Sequence, residues 1–244
     1  MKEKKYLSLV CFLKNKRSSV AYEEKSQLVT FLNPYSYLIA RKNIALIDRF
    51  HTICYDGFLL VLAMKCIGKK CYRISFDMTS LAPVVFHDAC ENKKSIFFIG
   101  SEPGVAHEAI EKIKVEFPTL LVSGFRHGFF ENSDDRDLFI KQLAEENPDI
   151  VIVGMGSPLQ EKFLFDLSAS GWRGLGFTCG GFLHQTASGG TQYYPKWMNY
   201  LNLRWLYRIF DEPKLIRRYL LDYPKFLLLF TYDVIISSLC DVRK

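Results

Sequence analysis

The chain has 244 residues, of which 49% are hydrophobic and 24% charged, and its formal net charge is +6. This composition supports a sizeable core and excludes wholesale disorder. No run of about 18 apolar residues occurs, so we expect no spanning helix, and the apolar run after the basic N-terminus is too short for a signal peptide. The seven cysteines show no metal-type spacing and lie mostly in apolar runs, which predicts a reducing, cytoplasmic location.

Short apolar runs alternate with helical periodicity along most of the chain. In the first ninety residues we predict strands and helices at Leu28–Leu32, Pro34–Lys42, Ile53–Tyr55, Gly57–Ile67 and Met78–Glu91, the last capped by Asp77. From Lys94 onward the strands are predicted at Ser95–Ile99, Leu120–Val122, Ile150–Val153 and Gly174–Thr178, with helices at Ala106–Phe117, Asp134–Asn147 and Pro158–Ala169. This alternation predicts an α/β fold with a Rossmann-like, mostly parallel sheet flanked by helices.

The strand pattern stops near residue 195, and the rest of the chain is helical, aromatic and basic. Residues 196–244 carry nine Lys and Arg against five acids. We therefore predict an α/β body at 1–194 and a helical, membrane-associating appendage at 195–244. On charge alone, such an end suits a membrane surface, a phosphorylated lipid or a nucleic acid, or is simply a solvated face.

Ligands of an open α/β sheet bind at the carboxyl ends of its strands. Five of the six predicted loops there contain glycine, which lets the backbone approach a ligand closely, so we predict a nucleotide or phosphate site. The loops are Asn33-Pro34, Tyr55–Gly57, Gly100–Gly104, Gly124–Gly128, Gly154–Gln160 and Cys179–Gly181.

Two positions in these loops keep alternative readings. Ser157 and Gln160 fit a helix capping box, but a helix N-terminus is also an anion site. Asp56 is either a helix cap or a functional carboxylate held in a cleft.

The common nucleotide and metal signatures are incomplete or missing. Gly154-x-Gly156 is half of a dinucleotide fingerprint, because Leu159 stands where the third glycine belongs. Asp135 and Asp137 match the DxD of metal-dependent sugar transferases, yet they fall in the first turn of an acidic helix, where acids are expected. The histidines have no metal spacing, and neither a Walker A nor a G-x-S-x-G motif is present.

The ordered motifs of the chain resemble the WecG/TagA/CpsF family of bacterial glycosyltransferases, glycosyltransferase family 26, from about Thr30 to Tyr219. They are Asp56-Gly57, Arg73-x-x-x-Asp77, Phe98-Ile99-Gly100, Pro103–Ala106, Gly124-x-x-x-Gly128, Pro148-Asp149-Ile150, Val153–Glu161, Pro195-x-Trp197, Trp205–Arg208, Glu212-Pro213 and Arg217–Tyr219. The resemblance implies an inverting, metal-independent transfer from a UDP-sugar to N-acetylglucosamine on undecaprenyl diphosphate. It implies a donor of the N-acetylmannosamine or N-acetylmannosaminuronate type or another hexose derivative, and a peripheral position on the inner face of the cell membrane.

The resemblance also assigns residues and partners. Asp56 corresponds to the catalytic base, and the appendage arginines Arg208, Arg217 and Arg218 to groups near the acceptor diphosphate. The expected substrate-binding residues are Thr30, Asn33, Arg73, Asp77, Gly100, Gly124, Gly128, Gly154, Gly156, Pro158, Gln160 and Glu161. The expected partners are the UDP-sugar, the polyprenyl-diphosphate-linked acceptor and an anionic membrane surface, with a homo-oligomer left open and no nucleic acid, cofactor or metal.

Departures from the family pattern weaken part of this assignment. The usual pocket threonine is replaced by Phe31, with Thr30 one residue earlier, and the family's aspartate after the Gly-Gly-x-Phe segment is His184. Two alternatives remain: a Rossmann-type nucleotide-dependent oxidoreductase or methyltransferase, and a non-catalytic nucleotide-sugar-binding protein of the membrane surface. A binding protein needs no base, so Asp56 separates it from the transferase.

Overall fold

The computed structural model describes residues 9–18, 27–191 and 215–241. Its centre is a six-stranded sheet in the order β2-β1-β6-β5-β3-β4, in which every neighbouring pair is parallel. The strands are β1 (Gln27–Leu32), β2 (Thr52–Tyr55), β3 (Ser95–Gly100), β4 (Leu121–Arg126), β5 (Ile150–Gly154) and β6 (Leu175–Thr178). Helices flank the sheet, so the predicted Rossmann-like α/β class is confirmed.

The helices follow the predicted places closely, with three additions. In chain order they are α1 (Leu9–Asn15), α2 (Pro34–Ala40), α3 (Ile44–Ile47), α4 (Phe58–Cys66), α5 (Leu81–Glu91), α6 (Val105–Glu116), α7 (Ser133–Glu146), α8 (Leu159–Ala169) and α9 (Phe182–Gly189). The additions α1, α3 and α9 each have eight residues or fewer, which is too short for a clear helical period.

Two predicted boundaries are wrong for identifiable reasons. The strand predicted to close at Gly124 continues to Arg126, because the missing side chain at Gly124 leaves room for the Phe97 ring of the neighbouring strand. Asp77 does not cap α5, which begins four residues later. Its carboxylate instead accepts hydrogen bonds from the Thr79 backbone amide at 2.8 Å and the Ser75 hydroxyl at 2.6 Å.

The described part of the predicted appendage is one C-terminal helix that packs on the α/β body. It is α-helical over Leu215–Arg217, π-helical over Arg218–Asp222 and α-helical again over Tyr223–Asp241. Phe226 and Phe230 are buried in the same apolar cluster as residues of α1 and α2. The predicted boundary near residue 195 lies outside the described ranges. Within those ranges, every helix is too short or too polar to cross a lipid bilayer.

Candidate functional site

A cavity of about 970 Å³ opens at the carboxyl ends of β1, β2 and β6 and beside the loop after β5. This volume lies at the upper end of the range for small-molecule sites. The sheet register explains why residues distant in sequence meet here. Leu32 pairs with Tyr55 at the ends of β1 and β2, so the next residues, Asn33 and Asp56, are neighbours.

The cavity brings together seven of the residues predicted to form the site. They are Asn33, Asp56, Arg73, Asp77, Gly156, Gln160 and Arg218. Arg73 reaches the cavity because it forms a parallel bridge with Tyr55, the last residue of β2. Among the described residues, the cavity lining therefore combines two carboxylates, two guanidinium groups and the three amide side chains of Asn33, Gln160 and Gln185 with polar backbone.

Asp56 is not a helix cap. Gly57, at φ +85°, is the residue that precedes α4, and α4 has no side-chain cap. The backbone amide of Asp56 donates to the Leu32 carbonyl at 2.7 Å, which fixes the residue at the ends of β1 and β2. The structure therefore agrees with the second interpretation of this position, in which Asp56 is a carboxylate in a cleft, because Asp56 lines the cavity.

The capping box expected at Ser157 and Gln160 does not form. Helix α8 begins after Pro158 without a side-chain cap. The Gln160 side chain instead crosses to the loop after β6, where its Oε1 accepts a hydrogen bond from the Gly180 amide at 3.1 Å. Gln160 is thus held in the cavity wall as a polar group, which favours the binding reading.

A buried polar network lies beneath Gln160. Glu161 is fully buried, and its Oε1 accepts hydrogen bonds from Gln160 Nε2 at 3.1 Å, Thr30 Oγ1 at 3.0 Å and Ser157 Oγ at 2.9 Å. Thr178 Oγ1 in turn donates to Thr30 Oγ1 at 3.1 Å. Thr30 and Glu161 therefore do not line the cavity as predicted but support the residues that do.

The other predicted glycines shape the sheet rather than the cavity wall. A Cβ at Gly100 would overlap the carbonyl of Gly154, and one at Gly154 would lie 2.9 Å from Cys179 Sγ. A Cβ at Gly128 would lie 3.2 Å from Gly100 Cα. These three glycines let the ends of β3, β5 and β6 approach closely. None of these three glycines lines the cavity, and neither do Gly124 and Pro158.

The DxD-like pair also lies elsewhere. Asp135 forms an ion pair with Arg126 at 3.1 Å and Asp137 one with Arg136 at 3.2 Å, and neither acid lines the cavity. Within the described ranges, no three His, Cys, Asp or Glu side chains are grouped as metal ligands would be.

Of the two predicted appendage arginines within the described ranges, Arg218 lies at the site. The Arg218 guanidinium lies 3.8 Å from the centre of the Tyr35 ring, in a cation–π contact at the cavity. Arg217 is exposed and does not line the cavity. Arg208 lies outside the described residues.

Sequence reasoning missed the aromatic wall of the cavity. Phe76 contacts Phe31 and Phe182 with ring centroids 6.1 Å and 5.4 Å apart, and all three line the cavity. Phe76 lies between the two charged residues of Arg73-x-x-x-Asp77, so its place in that motif was an available signal. Cys179 also lines the cavity, but burial raises the pKa of its thiol, so it stays protonated and is no nucleophile.

Most of the chain is similar to known proteins. Residues 10–238 match the family model described as Glycosyl transferase WecG/TagA/CpsF family. A Shigella boydii protein named UDP-Gal:alpha-D-GlcNAc-diphosphoundecaprenol beta-1,4-galactosyltransferase is 37% identical to the chain. The alignment covers 83% of this chain and 85% of that protein. Two proteins named N-acetylglucosaminyldiphosphoundecaprenol N-acetyl-beta-D-mannosaminyltransferase are also similar. The Bacillus subtilis protein is 35% identical, over 57% of this chain and 53% of its own length. The Bacillus spizizenii protein is 29% identical, over 89% of this chain and 84% of its own length.

Proposed function

Because the chain belongs to the WecG/TagA/CpsF family of glycosyl transferases, we propose that it transfers a sugar from a UDP-sugar to N-acetylglucosamine on undecaprenyl diphosphate. The relatives' names supply both substrate classes. The family membership confirms the resemblance and makes the chain a glycosyltransferase rather than an oxidoreductase or methyltransferase. The product would be a lipid-linked intermediate of bacterial surface polysaccharide synthesis.

The observation that carries this proposal is the place of Asp56. Its carboxylate lines a cavity at the carboxyl end of β2, beside Asn33 and Arg73. In the proposed reaction the Asp56 carboxylate accepts the proton of the acceptor hydroxyl as that oxygen attacks the anomeric carbon. The bond from that carbon to the UDP oxygen breaks on the opposite side, so the configuration inverts.

We propose that groups of this chain stabilise the negative charge of the departing UDP. Arg73 and Arg218 are the guanidinium groups of the cavity, and Gly156 and Ser157 bring backbone from the start of α8. Guanidinium groups and helix N-termini stabilise a developing phosphate charge without a metal ion. We therefore propose a transfer that does not require a divalent cation.

The donor is proposed from the similarity alone. The relative with 37% identity is named for UDP-Gal, and the two others are named as mannosaminyltransferases. UDP-galactose is thus the first donor to test, with UDP-N-acetylmannosamine beside it.

The exposed side of the C-terminal helix suits the surface of a membrane that carries the acceptor. Leu220, Leu228 and Ile235 are 69%, 74% and 54% exposed, while Arg217 and Lys225 are exposed on the same helix. Aliphatic side chains of an interfacial helix enter the headgroup boundary, and its cations meet anionic lipid. We propose that this side binds the cytoplasmic face of the membrane.

Asp56→Asn tests the base. We expect turnover to fall about 10²–10⁴-fold, with UDP binding kept, in an assay of both donors with a short-chain lipid-diphosphate N-acetylglucosamine acceptor. The matched control is Asp137→Asn, whose carboxylate is outside the cavity, and it should keep full activity. EDTA should not abolish transfer. Near-normal turnover of Asp56→Asn would remove Asp56 from the role of base, and an absolute need for Mg²⁺ or Mn²⁺ would overturn the metal-independent step.

Leu228→Asp tests the membrane contact. This change places a charge in the apolar side of the C-terminal helix, so we expect weaker sedimentation with phosphatidylglycerol vesicles. Leu138→Asp, on α7 and 58% exposed, is the control and should sediment like the unmodified protein. Equal loss or equal retention in both variants would reject this side as the membrane contact.

A further inference from the structure

The C-terminal helix is joined to α2 by one buried carboxylate. Asp233 is 2% exposed and accepts three hydrogen bonds, from Tyr37 Oη at 2.6 Å, Arg41 Nε at 2.7 Å and Arg41 Nη2 at 2.8 Å. Both partners belong to α2 or the residue that ends it. Burial and then the Asp233 carboxylate raise the pKa of Tyr37, so its hydroxyl remains a donor.

The apolar contacts around this group are less directional than its hydrogen bonds. Phe226 and Phe230 contact the Tyr37 ring at 5.1 Å and 5.7 Å, and the helix also exposes large aliphatic side chains on its other side. Apolar burial is non-directional, so it tolerates small rotations of a packed helix. A bidentate guanidinium–carboxylate pair is directional, and its geometry fixes both partners. Buried ion pairs are best known for such a role in register rather than for net stability.

The same short helix reaches the cavity at its other end. Asn33 caps α2 by accepting from the Ser36 amide at 2.9 Å, and Asn33 and Tyr35 line the cavity. The Arg218 guanidinium lies over the ring of Tyr35. Eight residues, Asn33 to Ala40, thus connect the Asp233 contact with the contact that holds Arg218.

We propose that Asp233 is a positioning residue, which holds the C-terminal helix on α2 in the one register that places Arg218 over Tyr35 at the cavity. The proposal rests on the proposed function, in which Arg218 meets a diphosphate. Asp233 acts on the reaction through Arg218 and does not touch substrate.

A double-mutant cycle tests the dependence on Arg218. Asp233→Asn keeps the size of the side chain and removes its charge, and we expect kcat/KM for the lipid acceptor to fall about tenfold, as for coupled neighbours. In an Arg218→Ala background the same change should cost less than about twofold, because the group that it positions is gone. Equal losses in both backgrounds would overturn the proposal, since a merely structural role gives additive effects.

The matched control removes another Arg–Asp pair. Asp166 pairs with Arg136 at 2.5 Å between α7 and α8, and neither residue lines the cavity. Asp166→Asn should lower kcat/KM less than about twofold in either background. If Asp233→Asn fails to fold, Arg41→Lys replaces it, because lysine keeps the charge and loses the bidentate contact. It should show the same dependence on Arg218.

Hydrogen exchange provides a readout that needs no activity. Amides of residues 215–222 should exchange at least about threefold faster in Asp233→Asn than in Asp166→Asn, while β5 amides remain protected in both. Unchanged exchange at 215–222 would overturn the positioning role even if the enzyme is active. If the unmodified protein transfers no sugar but the Asp233→Asn variant still shows the faster exchange, the proposed function is refuted and the positioning role of Asp233 stands.

Discussion

Phe226→Ala tests whether the C-terminal helix and the α/β body form one folding unit. The Phe226 side chain is fully buried, and its ring lies 5.1 Å from that of Tyr37 and 5.5 Å from that of Phe230. Alanine leaves a cavity among these rings, and such truncations cost about 3–5 kcal/mol of unfolding free energy. Because Tyr37 belongs to the same core as β1 and β5, we expect the loss to affect the whole protein.

The assay is urea unfolding followed by far-ultraviolet circular dichroism, with hydrogen exchange of α2 and β5 peptides in parallel. The midpoint should move to lower urea in a single transition, with an unchanged slope. Leu228→Ala is the control, because that side chain is 74% exposed on the same helix, and it should cost less than about 0.5 kcal/mol.

A second, earlier transition confined to the C-terminal helix would refute the reasoning. The body would then keep its midpoint in Phe226→Ala, and the boundary predicted near residue 195 would separate two independent units. A single shifted transition would instead mean that deleting the helix cannot leave an intact body.

Three further results are expected. Gly100→Ala should lower the free energy of unfolding by about 3 kcal/mol or more, measured by urea unfolding. Gly100 has φ +145°, and a Cβ there would overlap the carbonyl of Gly154. An unchanged free energy of unfolding would mean that the strand ends are not tightly packed. Glu161→Gln should lower the free energy of unfolding by about 1–3 kcal/mol and raise KM for the UDP-sugar, because the carboxylate that accepts from the Gln160 amide is lost. An unchanged KM would mean that the buried network does not support the binding residues. The unfolding free energy should fall from about pH 9 upward, by at most about 1.4 kcal/mol per pH unit and group. Among the described groups, burial raises the folded-state pKa of five, so their contribution is present below the unfolded pKa and lost as pH rises; these groups are Tyr37, Tyr55, Cys54, Cys71 and Cys179. Only Lys69, whose pKa burial lowers, opposes them among the described groups with a resolved shift, so equal stability at pH 8 and pH 10 would contradict this.

The sheet could be predicted from the sequence because its strands are buried on both sides. β5 is a continuous apolar run closed by glycine, and such runs with helical patterns between them allow few arrangements. Helix α1 could not be found in this way. Its residues Leu9, Val10, Phe12 and Leu13 are buried, and the helix contacts the C-terminal helix. A contact across more than 200 residues leaves no local pattern.

The site was predictable to the level of its loops, and less so to the level of side chains. Thr30 and Phe31 are consecutive in β1, so they point to opposite faces, and the sequence does not say which face meets the cavity at the strand end. Gln160 fits both a cap and a binding group, and only the position of the Gly180 amide, twenty residues later, decides between them. Arg218 reaches the site through the fold of the whole chain.

The cavity is lined by residues from Phe31 to Tyr223, and this span makes ligand binding a report on the entire fold. We expect the wall to stay incomplete during synthesis until the C-terminal helix has left the ribosome, and a nascent chain to bind no ligand there before that point. Once complete, the folded state gains RT ln(1 + [L]/Kd) from any ligand that the unfolded chain does not bind, which is about 2.7 kcal/mol at a hundredfold excess over Kd. If the proposed donor binds, we expect its concentration to affect the lifetime of the folded protein as well as the rate of transfer.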